Sequence, residues 1–252
     1  MRKAPPDDPF KTSRDSVAWV REHHLPELKR KIDTFIDKDA YAQVTERDPR
    51  DSTYNLVKLK LVKPIPPDFR GHTVDSIYNL RGALDQALFA ITRRYGNFPI
   101  RGSKAEFEAA LTKLSLPEKI AKLIRGFKPY KRGNRALWVL HKLNNAHKHA
   151  LIRPLDLAHA LGGMEGSYSG PRPPRFPVTP EWDAAKNEVV IAHVPTDVIE
   201  FNVNYESRFF VVFNDVQFVD GQSVVEIIDV FISVVEGVVM ALEAESKRLG
   251  IF

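Results

Sequence analysis

The segment that most constrains the fold closes the chain: "VVEIIDVFISVVEGVVMALEAESKRL", residues 224–249. β-Branched side chains are stiff and do not favour helix intrinsically. Yet Ser223 stands three residues before Glu226, the S-x-x-E capping box that announces a helix. A helix so rich in Val and Ile is held by packing, so the pattern predicts a long C-terminal helix, about Val224 to Leu249, buried on two sides. Glu226, Asp229 and Glu236 punctuate it, which argues against a membrane span. Its Val-rich surface makes a homodimer an expectation.

A second long helix is expected from about His72 to Tyr95, where Ile77, Leu80, Leu84, Leu88, Ile91 and Tyr95 fall within one arc of a helical wheel. Shorter helices are predicted at 104–113 and 117–125, the second with Pro117 in its first turn. An earlier helical region from Ser16 is expected to kink at Pro26, with Leu28, Ile32, Phe35 and Ile36 at helical spacing. "STYNLVKLKLV" alternates as a strand, and "KPIPPDF" ends it because proline cannot donate to a ladder. Past Arg153 the chain reads as a loop rich in Gly and Pro, about 162–180. "EVVIAHV", "VIEFNVNY" and "RFFVVF" follow as strands, the last two as a hairpin through "ESR".

The fold class expected is therefore α+β. A helical core of long antiparallel helices, about 72–153, carries a small antiparallel sheet from residues 54–63 and 188–213 and a long C-terminal helix, with strands and helix spanning about 188–250. One domain is expected over 15–252, after a flexible leader over 1–14 in which Pro5, Pro6 and Pro9 prevent helix.

Charge is modest in sum, +5, but uneven in place. Between Glu118 and Asp156 there is no acid against ten Lys or Arg, whereas from Glu181 onward 13 acids face four Lys or Arg. Such asymmetry fits a basic face for a polyanion, or a basic segment docked on the acidic part of its own fold or of a second subunit. No cysteine is present, which excludes a disulfide, a thiolate nucleophile and a zinc site built on sulfur. No signal-peptide or membrane-spanning pattern is found, and a cytoplasmic protein without membrane association is expected.

Inside the basic stretch lies "ALWVLHKLNNAHKHALIRPL", residues 136–155. On a helical wheel Ala136, Val139, Leu140, Leu143, Ala146, Ala150 and Leu151 form an apolar arc into which His147 projects, as a core histidine would. The opposite arc carries His141, Asn144, Asn145 and Lys148, with Lys142 and His149 further round and Leu137 one turn earlier. Amides beside histidine and lysine, with no acid, suit either a site for an anionic ligand or a buried polar network. A metal is not expected: the residue four after His141 is Asn145, and His147 and His149 stand only two apart. No nucleophile elbow, phosphate loop or dinucleotide fingerprint occurs, and no cofactor is expected. Arg81 and Asp85 form an i, i+4 pair, worth about 0.2–0.5 kcal/mol where exposed, that could also order Asn144 or His149.

Two segments, "NLRGALDQAL" followed by "FPI" and "LWVLHKLNNAHKHALI", resemble a group of uncharacterised bacterial proteins over roughly residues 72–153. "RALWVLH", an Arg and a His separated by five residues, is also similar to the motif of HEPN-domain ribonucleases, which are helical bundles. That resemblance implies metal-independent transesterification of RNA. His141 would move the proton, Arg135 would clamp the phosphate, and the basic run with Phe127, Tyr130 and Trp138 would hold backbone and bases. This chain departs from the family in having Ala136 where a polar residue often follows the Arg. On a straight helix Arg135 also points about 120° away from His141. Two readings stand side by side. One is an RNA-directed protein, in its catalytic form an endoribonuclease, acting through residues 119–153 with Asn144, Asn145, Lys148, His149, Arg81 and Asp85 in binding roles. The other is a non-enzymatic interaction protein in which the Asn/His/Lys helix is a buried polar network.

Overall fold

The computed structural model describes residues 8–37, 40–149, 156–177, 181–183, 185–213, 219 and 222–252, without the side chains of 37, 146–149, 156–166 and 204–210. Helix α1, Lys11–Trp19, begins inside the stretch expected as leader. It runs through a π-helical turn, Val20–His24, into α2, Leu25–Asp37. The expected kink at Pro26 thus takes the form of this wider turn. Proline has no N–H for the carbonyl four residues back and its ring crowds that carbonyl, so the helix widens ahead of it instead of breaking.

Strands β1, Tyr41–Arg47, and β2, Tyr54–Leu61, form an antiparallel hairpin, and β1 was not anticipated from its sequence. Helix α3, Pro67–Thr92, starts on Pro66 and Pro67 and ends where Arg93 turns left-handed at φ 53°. Its expected stripe is buried at Ile77, Leu80, Leu84, Leu88 and Ile91. Tyr95 is the exception: it lies beyond the helix end, is 97% exposed, and leans on Phe89 with ring centroids 5.1 Å apart. Helices α4, Lys104–Thr112, and α5, Glu118–Phe127, follow. Ser103 caps α4 by accepting from the Glu106 N–H at 3.2 Å, and Pro117 is the N-cap of α5. Helix α6 spans Arg135–His149.

Strand β3, Asp156–Ser169, occupies much of the stretch expected as loop. It pairs along its length with β6, Glu200–Val212, with a register shift between Gly162 and Met164. The hairpin expected between "VIEFNVNY" and "RFFVVF" is therefore corrected: both belong to the single strand β6. "ESR" holds no Gly, Pro or Asn to turn on, and a partner of matching length keeps it extended. Strands β4, Trp182–Asp183, and β5, Glu188–Pro195, join the first hairpin in a four-stranded antiparallel sheet of order β1-β2-β5-β4. A small core of Val57, Leu59, Val189, Ile191, Ala192 and Val194 covers one face of that sheet.

Helix α7, Val224–Arg248, is capped by Ser223, whose hydroxyl accepts from the Glu226 N–H at 3.4 Å. It packs on α1, α2, α3, α5, α6 and β6, the surround its β-branched composition calls for. The main core is shared by these helices and includes Phe69, Leu84, Leu140, Phe231 and Val235. The architecture is α+β, with a helical core, a small antiparallel sheet, a two-stranded ribbon and a long C-terminal helix. Among the described residues no helix is long and apolar enough to cross a membrane.

Candidate functional site

Helix α6 is set in place from its N-terminus. The α5–α6 joint turns at Lys128, φ 51°, and returns with the Asn134 N–H donating to the Lys128 carbonyl at 2.7 Å. Gly133 is required there, since a Cβ would lie 2.2 Å from the same carbonyl oxygen. The Asn134 side chain then accepts from the Leu137 N–H at 3.1 Å and satisfies one of the free donors of the helix end.

Packing against α3 and α7 decides which α6 side chains meet solvent. Leu137, Trp138, Val139, Leu140 and Leu143 are buried. The expected polar arc is split by this. Asn144 is buried at 7% exposure, while His141 and Asn145 are half-exposed and joined, the Asn145 amide nitrogen lying 3.0 Å from His141 Nε2. The Nδ1 of His141 is itself buried. Arg135 is exposed and sits six residues before His141, about 9 Å along the axis and about 120° round it. The side chains of His147, Lys148 and His149 lie outside the described residues.

Around this helix the cations face outward. Lys119, Lys122, Lys128, Lys131, Arg132 and Lys142 are all exposed. Among the described residues none of them has a carboxylate within 4.0 Å. Arg125 differs, bonding Glu108 at 2.9 Å and Glu118 at 3.0 Å. Lys131 and Lys142 instead stand over the Trp138 ring, 5.4 and 5.8 Å from its centroid. Such contacts contribute about 0.5–1 kcal/mol each at a surface and leave the ammonium groups open to solvent.

Arg81 and Asp85 take their partners from the chain after α3. Arg81, 4% exposed, donates to Asp85 Oδ1 at 2.5 Å and to the Phe98 carbonyl at 3.0 Å, and the Phe98 N–H donates to the same Asp85 oxygen at 2.6 Å. Together they fasten "FPI" to α3, with Phe98 and Ile100 fully buried.

Two polar groupings were not anticipated. At the π-helical turn His24, His23, His72 and Trp19 border a cavity of about 490 Å³. The rings of His24 and His72 lie 5.9 Å apart, those of Trp19 and His23 lie 4.1 Å apart, and Asn79 reaches His24 Nε2 at 3.4 Å. Burial pushes His24 below the usual imidazole range, and the charges of His72 and His23 add to this while Asp75 opposes it. The adjacent pair "HH" just before Pro26 was the available signal. Among the described residues no three His, Asp or Glu side chains gather so as to hold a metal ion.

The second grouping lies on the sheet face turned away from the small core. Lys58, 7% exposed, bonds Glu188 at 2.8 Å and Glu46 at 2.7 Å, with Lys60 3.8 Å from Glu188. Burial works against the Lys58 ammonium, but its bonds to the two carboxylates outweigh that and raise it above the usual lysine value. Compared with family models, with curated proteins and with solved structures, the chain matches none.

Proposed function

We propose that this protein binds RNA through the basic surface of α5, α6 and the joint between them, as a cytoplasmic protein. The observation that carries the reading is the row of six outward cations without an acidic neighbour within ion-pair reach among the described residues. Of the two accounts of this basic segment, docking on the acids of its own fold gains no support from the ion pairs formed. A phosphate backbone supplies the missing negative charge, and its affinity comes largely from counterions released on contact. The proposal includes the homodimer expected from the Val-rich last helix.

Cleavage asks more of the geometry. Nδ1 of His141 is buried and Nε2 faces the Asn145 amide, so a proton leaves or enters at Nε2 only after Asn145 swings off the ring. A non-enzymatic protein needs no such movement, and the burial of Asn144 favours that form of the reading.

The test is the affinity of the full chain for labelled single-stranded RNA over a salt series, in EDTA, with cleavage followed in the same samples. Affinity is expected to fall as salt rises, and Lys131→Ala or Lys142→Ala should each lessen the slope of log K against log salt by about 0.7. No binding at low salt, or a slope unmoved by either variant, overturns the proposal. RNA that is cut by the wild type and left intact by a folded His141→Ala variant adds the ribonuclease activity. RNA that is bound but never cut assigns binding alone.

A further inference from the structure

Helix α7 is surrounded on most sides, yet among the described residues one line along it stays exposed, bordered on one side by a groove against α1 that Met240 and Ala244 help to line. Val230 is 47% exposed and Met240 59% exposed, the first in the first half of the helix and the second in the last. Between and beyond them Ser233, Gly237 and Ala244 are exposed too, all within about 60° of one line along the helix. At Gly237 nothing lies within 4 Å of where a Cβ would stand. Exposed Glu226 begins the same line and exposed Arg248 ends it, with exposed Asp229 and Lys247 about 80° round; Lys247 and Arg248 also bond Glu243 and Glu245 of their own helix, each at 2.6 Å.

This order of charges is also what a helix dipole prefers, but the dipole gives no reason for apolar side chains in solvent between the charged ends. A second copy does. When two such faces meet antiparallel about a two-fold axis at Gly237, each position lies opposite the one equally far on the other side of residue 237. Val230 then meets Ala244, Ser233 meets Ala241, and Glu226 meets Arg248. Small residues at the centre let the two backbones approach closely, and Met240 of each copy covers the open space above the other's Gly237. Acid-bearing ends face cation-bearing ends at both extremes, about 33 Å apart. A parallel pairing would set acid against acid and cation against cation.

We infer that α7 is the interface of an antiparallel homodimer centred on Gly237. The helix face is self-complementary in shape and in charge, as a two-fold interface must be. Sedimentation equilibrium of the full chain at micromolar loading is expected to give twice the chain mass of 28.6 kDa. Gly237→Lys has room to fold in the single chain and removes a residue that disfavours helix, so its circular dichroism stays native. Its dimer is weakened about 100-fold or more, because two ammonium groups meet at the axis. Glu226→Arg weakens the dimer about 10-fold or more, and adding Arg248→Glu restores it.

Direction is read by cross-linking, since the natural chain has no thiol. Val230→Cys mixed with Ala244→Cys should oxidise to a covalent pair, and neither variant should do so alone. A wild-type mass of one chain throughout the concentration series overturns the inference. So does a dimer that survives Gly237→Lys, or a Val230→Cys chain that cross-links to itself.

Discussion

At the scale of single residues, α6 shows how far a wheel projection carries. The buried stripe of Val139, Leu140 and Leu143 was legible because apolar spacing directly reports the side facing a core. Separating Asn144 from Asn145 was not, since adjacent positions differ by only about 100° and the boundary of the core depends on what α3 and α7 place there. The pair Arg81 and Asp85 was legible as i, i+4 neighbours. Its bonds to Phe98 were hidden, for they depend on a chain reversal after α3. His24 allows a prediction of its own. Its pKa in the folded protein is depressed, chiefly by burial, so in the window between the folded value and the ordinary one of about 6.5 the unfolded chain holds more protons than the native state. Stability therefore rises with pH across that window and is lost on acidification through it. Urea unfolding at pH 7.5 and pH 5.5 should show a lower midpoint at the acid pH. In His24→Gln the difference should shrink, and an unchanged difference would place the sensitivity elsewhere.

At the scale of elements, helices were read better than strands. Capping signals and a period of 3.6 fixed α4, α5 and α7 to within two residues, because their determinants are local, whereas α3 begins at Pro67, five residues before the expected His72. β1 carries a mixed pattern, with Gln43, Thr45 and Arg47 exposed and Val44 half-buried, and is held by its register with β2. Likewise the ribbon of β3 and β6 is made by pairing between distant segments, which no local signal announces. The sheet face centred on Lys58 follows the same logic. Alternation in "NLVKLKL" put Lys58 and Lys60 on one side, but only the pairing of β2 with both β1 and β5 brings Glu46 and Glu188 to Lys58. Glu188 is 5% exposed. Removing its cation strands a buried carboxylate, so Lys58→Met should lower stability by about 3–5 kcal/mol. Replacing both partners, as in Lys58→Met with Glu188→Leu, should recover most of that loss, because two apolar groups leave no charge uncompensated. Denaturant midpoints of the two single variants and the double variant decide it. A double variant no more stable than Lys58→Met would mean that the pair itself holds the sheet.

At the scale of the whole molecule, the uneven charge of the chain was plain from the sequence, but its use was not. Composition left a choice between a basic segment folded onto the acidic half and one turned outward. Apart from Arg125, which bonds Glu108 and Glu118, the six exposed cations of α5, α6 and their joint have no carboxylate within ion-pair reach among the described residues, which supports the second. Two acids of α7 are engaged with the N-terminal helices, Glu236 with Arg21 at 2.5 Å and Glu243 with Arg14 at 2.6 Å. Those pairs tie α7 to the N-terminal helices along a side about 100° round from Gly237, next to the line offered to the second copy inferred above. An obligate link between assembly and stability follows, since a dimer that unfolds to two chains has a melting point that depends on concentration. For a chain of 252 residues, the unfolding entropy is large enough that each tenfold rise in protein should lift the wild-type melting temperature by only about 1–2 °C. Gly237→Lys should melt at one temperature across the same series. Calorimetry over a hundredfold range in concentration distinguishes the two, because the expected wild-type shift of about 2–4 °C exceeds the scatter of repeated scans, whereas coincident curves for wild type and variant would mean that each chain folds and melts alone.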